Sequence, residues 1–421
     1  MKRVVILLLW CTSGIAWAQN QPRIDSLNGE LQKYEARKKA LGANAPAIMD
    51  TVKALLLNKL NVEYREFDAE KAFDYAKQCL ELSERIGFKK GIAHAYNDFG
   101  IYYSYKDKFK EAESYYNQSL KLRLEINHGE GISSSYNNLG TIYRSKGDDA
   151  KALSYFQTSL RYAEAISSQG LIAVNYQNMG ALYTDAGNFR EALECFTKAK
   201  EINTALGSKQ VLSTNLSGIS FVLQQMKQYE QAIQVNKELL RLMEELNMKG
   251  FSTENAEIGS MYYYLNNYPE ALRYYQINLD LAVKLRESTW ISQIHINMGR
   301  VHYKCNNLQQ ALLHLKSAIV FADSTKRVDL RRESLHLLAE VYGKLGNYTT
   351  AWECHTEAES LKDTIDNTAI ANEKVNKLKH LLVQSSFDRQ RDSTQAAQDK
   401  KDAVQATTRN SILVAFAGTI A

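Results

Sequence analysis

Apolar, small and polar positions return along this chain every forty residues. The stretch from Tyr136 to Leu153 reads Tyr-Asn-Asn-Leu-Gly-Thr-Ile-Tyr-Arg-Ser-Lys-Gly-Asp-Asp-Ala-Lys-Ala-Leu. Forty residues earlier stands Tyr96-Asn97-Asp98-Phe99-Gly100, and forty later Tyr176-Gln177-Asn178-Met179-Gly180. A fixed period of this length marks stacked supersecondary units. From about residue 53 the register is continuous. One position is filled by Leu60, Gly100, Gly140, Gly180, Ser220, Gly259, Gly299 and Ala339, and twelve residues after each stands alanine: Ala72, Ala112, Ala152, Ala192, Ala232, Ala271, Ala311 and Ala351. Three residues after the small position comes an aromatic in most units (Tyr103, Tyr143, Tyr183, Tyr262, Tyr342), and nine after it another bulky residue.

The pattern predicts two antiparallel helices per unit. Helices approach closely only where side chains are small, so a glycine on the first helix is expected to face the alanine of the second, with aromatics filling the flanks. The turn between them carries Gly147, Gly187, Asn266, Asn306 and Gly346, residue types that accept the left-handed conformation ending a helix. Pro269 falls at the start of a second helix, where a missing N–H costs nothing.

These glycine, tyrosine and alanine positions resemble the tetratricopeptide repeat (TPR) family, over about residues 53–365 in eight units. The period is 40 (once 39, between Ser220 and Gly259) instead of the commoner 34, and the proline that often closes each repeat is missing, which resembles the longer-period subclass with Asn-Asn-Leu-Gly signatures. The resemblance implies an all-α superhelical solenoid of helix-turn-helix repeats. Residues 19–52 read as a capping region for its N-terminal end, with Leu27, Leu31 and Tyr34 on one helix face.

The two ends have a different character. Met1-Lys2-Arg3, the apolar run Val4–Trp10 and Ala16-Trp17-Ala18 supply in order the parts of a secretory signal over residues 1–18, with Gln19 as the mature start. The run is too short for a spanning helix. Residues 366–409 keep a thin helical stripe (Val375, Leu378, Leu382) and then turn almost wholly polar, the pattern of an exposed stalk helix; it fits either homodimeric pairing or a single solvated helix. Residues 410–421 end in Ile412–Ala421, behind Arg409. That run reads as the start of a transmembrane helix cut short, or as an apolar tail docking on the protein.

Net charge of +5 falls to +3 once the leader's Lys2 and Arg3 are removed, too small a bias to imply nucleic acid. The cysteines Cys79, Cys195, Cys305 and Cys354 are far apart with no CxxC spacing, so they read as buried free thiols. There is no Walker loop, GxSxG or HExxH, and the eight histidines are scattered, none pairing with another at metal-ligand spacing on one helix face. No cofactor, metal or catalytic residue is expected, and His302 reads as a filler of its repeat's aromatic slot.

The functional surface is what the resemblance implies. In a TPR superhelix the first helices line the concave side, and here that places His94, Asn97, Asp98, Asn137, Asn138, Arg144, Gln177, Asn178, Asn297 and Tyr303 in a groove for a protein or peptide ligand. Ser104, Ser134, Thr184, Gln293 and His336 share those positions. Asp98, Asn138, Asn178 and Asn297 occupy one equivalent position; an asparagine there can give and take hydrogen bonds with a peptide unit, or it can make structural bonds within or between repeats. The order signal, repeats, polar helix and membrane helix resembles the extracytoplasmic sensory half of bacterial membrane-bound signalling proteins, whose kinase, cyclase or regulator domain follows the membrane helix. A membrane-tethered scaffold in an envelope assembly is the alternative.

Overall fold

The computed structural model describes residues 13–42, 48–246 and 252–362. The start of the expected signal, the stalk at 366–409 and the segment 410–421 lie outside the described residues. Among those described there are seventeen helices and no strand, in two compact units divided between Phe251 and Ser252. The first unit holds α1 (Ser13–Leu41), α2 (Ile48–Tyr64), α3 (Ala69–Arg85), α4 (Lys89–Tyr105), α5 (Phe109–Glu125), α6 (Gly129–Lys146), α7 (Asp149–Ala165), α8 (Gln169–Asp185), α9 (Phe189–Ala205), α10 (Lys209–Gln225) and α11 (Tyr229–Glu245). The second holds α12 (Ser252–Tyr264), α13 (Tyr268–Leu285), α14 (Ser288–Lys304), α15 (Leu308–Ser324), α16 (Val328–Lys344) and α17, over residues 348–362.

The forty-residue period has a simple origin. Most helices are 17 residues long, and most successive helices are joined by three residues. Every described turn except that between α2 and α3 holds one left-handed residue. Gly147, Gly187 and Gly346 take it at φ 77°, Asn266 at 56° and Asn306 at 60°, as the sequence predicts. Asp107 (57°) and Lys227 (58°) take it too, at the cost that a side chain imposes there. The closing bonds are those of the Schellman motif: Asp148 N–H reaches Tyr143 O at 2.9 Å and Gly147 N–H reaches Arg144 O at 3.0 Å. Pro269 lies in the first turn of α13, behind the capping side chain of Asn267.

The close approach between paired helices differs from the expectation. Ala112, Ala152, Ala192, Ala232, Ala271 and Ala311 are fully buried, yet the space above each glycine is taken by a larger residue sixteen positions on. A Cβ on Gly140 would lie 2.6 Å from the Phe156 ring, one on Gly259 2.6 Å from Tyr275, one on Gly299 2.8 Å from Leu315 and one on Gly180 3.1 Å from Phe196. The glycine therefore makes room for a ring more than for a helix backbone. In the first repeat the sizes are exchanged: Leu60 stands at the small position and Ala76 sixteen on, both fully buried. A second close point is polar. Ser119 Oγ donates to Ala93 O at 2.7 Å and Ser292 Oγ to Ala318 O at 2.8 Å, while Ser133 and Ser159 bond reciprocally.

The helix α1 packs Ile24 and Leu27 against Leu56 and Leu60 of α2. Tyr34 is buried and donates to Asp50 at 2.6 Å. The cysteines are free; Cys79 and Cys195 are buried, while Cys305 and Cys354 are half-exposed. Burial pushes the Cys79 thiol up to about 12, which makes it inert.

Gly140→Ala is expected to destabilise the first unit by about 1–3 kcal/mol through overpacking against Phe156. Gly140→Leu combined with Phe156→Ala, the size exchange of the first repeat, should recover more than half of the loss caused by Phe156→Ala alone. Urea unfolding of the three variants reads both.

Candidate functional site

In the first unit, consecutive first helices touch one another, α2 to α4, α4 to α6, α6 to α8 and α8 to α10. They form its inner side, and the polar positions expected there meet in bonds between repeats. Asp98 is buried. It accepts from Asn58 Nδ2 at 2.7 Å and from Arg65 Nη2 at 2.9 Å, which ties α4 to α2. Asn138 Nδ2 donates to Asn97 Oδ1 at 2.9 Å, tying α6 to α4, and Asn178 Nδ2 donates to Asn137 Oδ1 at 2.8 Å, tying α8 to α6. Asn137, itself buried, donates to Asn175 Oδ1 at 2.9 Å. Gln177 Oε1 accepts from Asn215 Nδ2 at 3.1 Å, and Asn215 Oδ1 accepts from Asn203 Nδ2 at 2.7 Å. Arg144 Nε reaches Asp185 Oδ2 at 2.7 Å.

The amides thus form a ladder that fixes each repeat against the next. Asp98 and Asn137, expected on the groove surface, are interior members of it, because each satisfies its polar atoms inside the protein. Asn97, Asn138, Gln177 and Asn178 are half-exposed. Asn138 and Asn178 each spend one N–H in the ladder, which leaves the carbonyl oxygen and the second N–H outside it.

Arg123, at the end of α5, was not expected here. Only 3 % exposed, it donates from Nη1 to Gly131 O (2.9 Å), Ser135 Oγ (2.8 Å) and Asn97 Oδ1 (3.3 Å). Gly131 admits it: a Cβ there would lie 2.8 Å from Arg123 Cδ. The clue in the sequence is that glycine, nine residues before Gly140, where most repeats carry a side chain. Burial pulls the guanidinium down to about 10. Burial also raises the Asp98 carboxyl to about 6, against the opposing pull of Arg65 and the Asn58 bond. His94 lies beside His128 (ring centres 6.0 Å apart). Burial first, then the positive charges of Arg123, His128 and Lys90, holds its imidazole down to about 4.

In the second unit the same helix positions border open space. One cleft is lined by Ser260, Tyr263, Tyr264, Tyr275, Asn297 and Arg300, another by Arg300, Asp329, Arg332, Glu333, His336 and Leu337. Arg300 stands between them and donates to Glu333 Oε1 at 2.6 Å. Tyr303 is covered by Lys344, whose Nζ lies 4.0 Å from the ring centre. The histidines are less scattered than their numbering suggests. His295 and His302 of α14 meet His314 of α15, with His295 Nδ1 and His314 Nδ1 3.0 Å apart.

The titrations of His94 and Asp98 oppose each other. The folded value of His94 is lowered, so its contribution to stability is present above about pH 6.5 and is lost as pH falls toward 4. That of Asp98 is raised, so its contribution is present below the unfolded carboxylate value and is lost as pH rises through about 6. His94→Gln should therefore reduce the loss of stability between pH 7 and pH 5, by on the order of 2 kcal/mol. The pH dependence of the urea midpoint, variant against wild type, is the measurement.

Models of the tetratricopeptide repeat match residues 53–125, 170–245 and 251–322, more than half of the chain, and a second such model matches 133–166. No curated protein sequence matches. Among solved structures, the chain is similar to the apo form of RapI, with a TM-score of 0.59 at 15% identity, covering 83% of this chain and 96% of that one. It is also similar to a signal transduction ATPase with numerous domains from Pyrococcus horikoshii, which carries a tetratricopeptide repeat sensor. There the TM-score is 0.61 at 17% identity, covering 82% of this chain and 53% of that one. At these identities the likeness is one of fold. The chain belongs to the tetratricopeptide repeat family, whose fold is generally a protein-interaction module and not an enzyme.

Proposed function

We propose that this chain is a module that binds an extended peptide or protein segment along its first-helix face, and that it does so outside the cytoplasmic membrane as the input part of a membrane-bound signalling protein. The observation that carries the binding reading is the pair Asn138 and Asn178. They occupy one position in successive repeats, are half-exposed, and are held by the ladder with an acceptor and a donor left over. Side chains already fixed by packing lose little entropy on binding. In the second unit Asn297 and Arg300 border open clefts at the same level of their helices.

Export is supported by the leader-like residues 1–18 and by Pro22. Proline in a helix interior costs about 3 kcal/mol, and Pro22 lies well inside α1 (Ser13–Leu41). Cleavage after Ala18 would leave Pro22 in the first turn, where it costs nothing, and would keep Ile24, Leu27 and Tyr34 as the buried face. The apolar run Ile412–Ala421 supports attachment to a membrane. No helix among the described residues is long and apolar enough to cross one.

Two substitutions separate ligand contact from scaffold. Asn178→Ala and Asn137→Ala both break the bond between these two residues, and Asn137→Ala breaks the bond to Asn175 as well. The second is therefore the more disruptive to the scaffold, at about 1–2 kcal/mol per bond, yet only the first removes a half-exposed amide. Peptides selected on the wild-type chain from a displayed library should bind Asn137→Ala within a few fold and lose at least about tenfold on Asn178→Ala, the effect of one lost hydrogen bond of about 1.4 kcal/mol. Equal losses in both would assign the asparagines to structure alone. For export, N-terminal sequencing of the chain produced with its leader in a bacterial host should begin at Gln19; an N-terminus at Met1 sinks that part of the reading.

A further inference from the structure

In the second, third and seventh repeats rings fill the flank of the helix pair from three slots: four residues before the small position, three after it and fifteen after it; the other repeats place smaller or aliphatic residues in one or more of them. The second repeat places Tyr96, Tyr103 and Tyr115 there, and the third Tyr136, Tyr143 and Tyr155. In the seventh repeat all three are histidine: His295, His302 and His314. The packing is preserved. Tyr103 and Tyr115 stack with centres 5.4 Å apart and planes 8° apart; His302 and His314 do so at 5.2 Å and 10°. Tyr96 meets Tyr115 at 6.1 Å and 34°, and His295 meets His314 at 5.3 Å and 38°. Phe321 lies on His295 as Tyr162 lies on Tyr136.

Tyrosine satisfies this packing twice in the same chain, so packing alone gives no reason for three imidazoles. Burial lowers all three, and His314, with two histidines beside it, is held down to about 4. The rings are therefore neutral at pH 7, the form that binds metal. His295 Nδ1 and His314 Nδ1 stand 3.0 Å apart, joined by one N–H···N bond, close to the spacing of about 3.3 Å that two nitrogens have around a tetrahedral zinc with Zn–N near 2.05 Å. His302 Nδ1 is buried with no hydrogen-bond partner.

We propose that His295, His302 and His314 bind one divalent transition-metal ion of the borderline class, such as Zn²⁺, Ni²⁺ or Cu²⁺, clamping α14 to α15. As they stand the three do not converge on one point, because His302 lies flat on His314. Binding therefore includes a turn of the His302 ring about its Cβ–Cγ bond. His295 and His314 present Nδ1 lone pairs together only when both carry their proton on Nε2. The ring that donates the present bond thus changes tautomer, and no net proton is released. Three nitrogens leave a fourth position for water or for a ligand donor. Nothing in this inference depends on the peptide-binding reading, since none of the three histidines belongs to that face.

The test uses the full, untagged chain and Zn²⁺ alone. Calorimetric titration should show one ion per chain, with a melting midpoint that rises with Zn²⁺ concentration. His314→Tyr should weaken binding by at least about tenfold. The triple variant His295→Tyr, His302→Tyr, His314→Tyr restores the tyrosine slots of the second and third repeats; it should fold, bind no ion and melt at a temperature indifferent to Zn²⁺. A triple variant that titrates like the wild type, or a wild type that takes no ion, overturns the proposal. Should the triple variant fail to fold, the electron paramagnetic resonance spectrum of Cu²⁺ on the wild type decides. Nitrogen coupling from two or more imidazoles supports the site, and a spectrum without it overturns the site.

Discussion

The constraint on which the rest of this structure depends is the fit of a ring over a bare backbone. In five of the eight repeats the helix pair closes because the first helix has no side chain at one point and the second sends a large one into the gap, as with Phe156 over Gly140, Phe196 over Gly180 and Tyr275 over Gly259. The two positions are therefore coupled by the space they share. Leu60 with Ala76 meets the same constraint from the other side. Once the pair is closed, 17-residue helices and three-residue turns return the chain to the same phase, and the next pair stacks on the last.

This explains which parts of the fold were legible in the sequence. The small position and the alanine twelve residues on recur as nearly fixed types, and the left-handed turn residues mark the corners, so helix count, pairing and period could be read directly. The residue sixteen positions on is not legible, because Tyr116, Phe156, Phe196, Asn236, Tyr275 and Leu315 follow no single residue type. The amide ladder was half-read. Asp98, Asn138, Asn178 and Asn297 are recognisable as a row, yet the bonds run between residues 41 apart at two adjacent positions. A period of forty does not reveal a bond with that offset. The histidines failed to stand out for a similar reason. His295 and His302 are two turns apart on one helix and His314 is on the next, so their meeting shows only when the slots of the seventh repeat are laid over those of the second.

The ladder carries a physical compromise. Apolar packing between repeats tolerates sliding and rotation, because dispersion and area burial are non-directional. Hydrogen bonds between amides are directional, and each contributes about 1 kcal/mol net while specifying one register. Buried Asp98 and Arg123 add to that specificity at a cost in desolvation, visible in a carboxyl pushed up to about 6 and a guanidinium pulled down to about 10. Their partners are Arg65 and Asn58 for the carboxylate, and Asn97, Ser135 and the Gly131 carbonyl for the guanidinium, whose buried Nε has no hydrogen-bond partner. Removing any one member leaves a buried polar group without its partner, which makes this seam more sensitive to substitution than the outer face.

A repeat built this way separates its positions by what substitution costs. The small position, the alanine and the ring over the glycine are bound by volume and admit only compensated exchange. The three flank slots are looser: where they hold rings, they accept phenol or imidazole with nearly the same stacking distances, and other repeats fill them with leucine, valine or cysteine. The outward amides of Asn138 and Asn178 are bound by half of their hydrogen-bonding capacity and free in the other half. New chemistry can therefore enter a solenoid without disturbing its packing at two kinds of place: a flank slot, by changing the ring, and the inner face, by using what the ladder leaves over. The histidine triad of the seventh repeat and the asparagine pair of the third and fourth repeats are one instance of each.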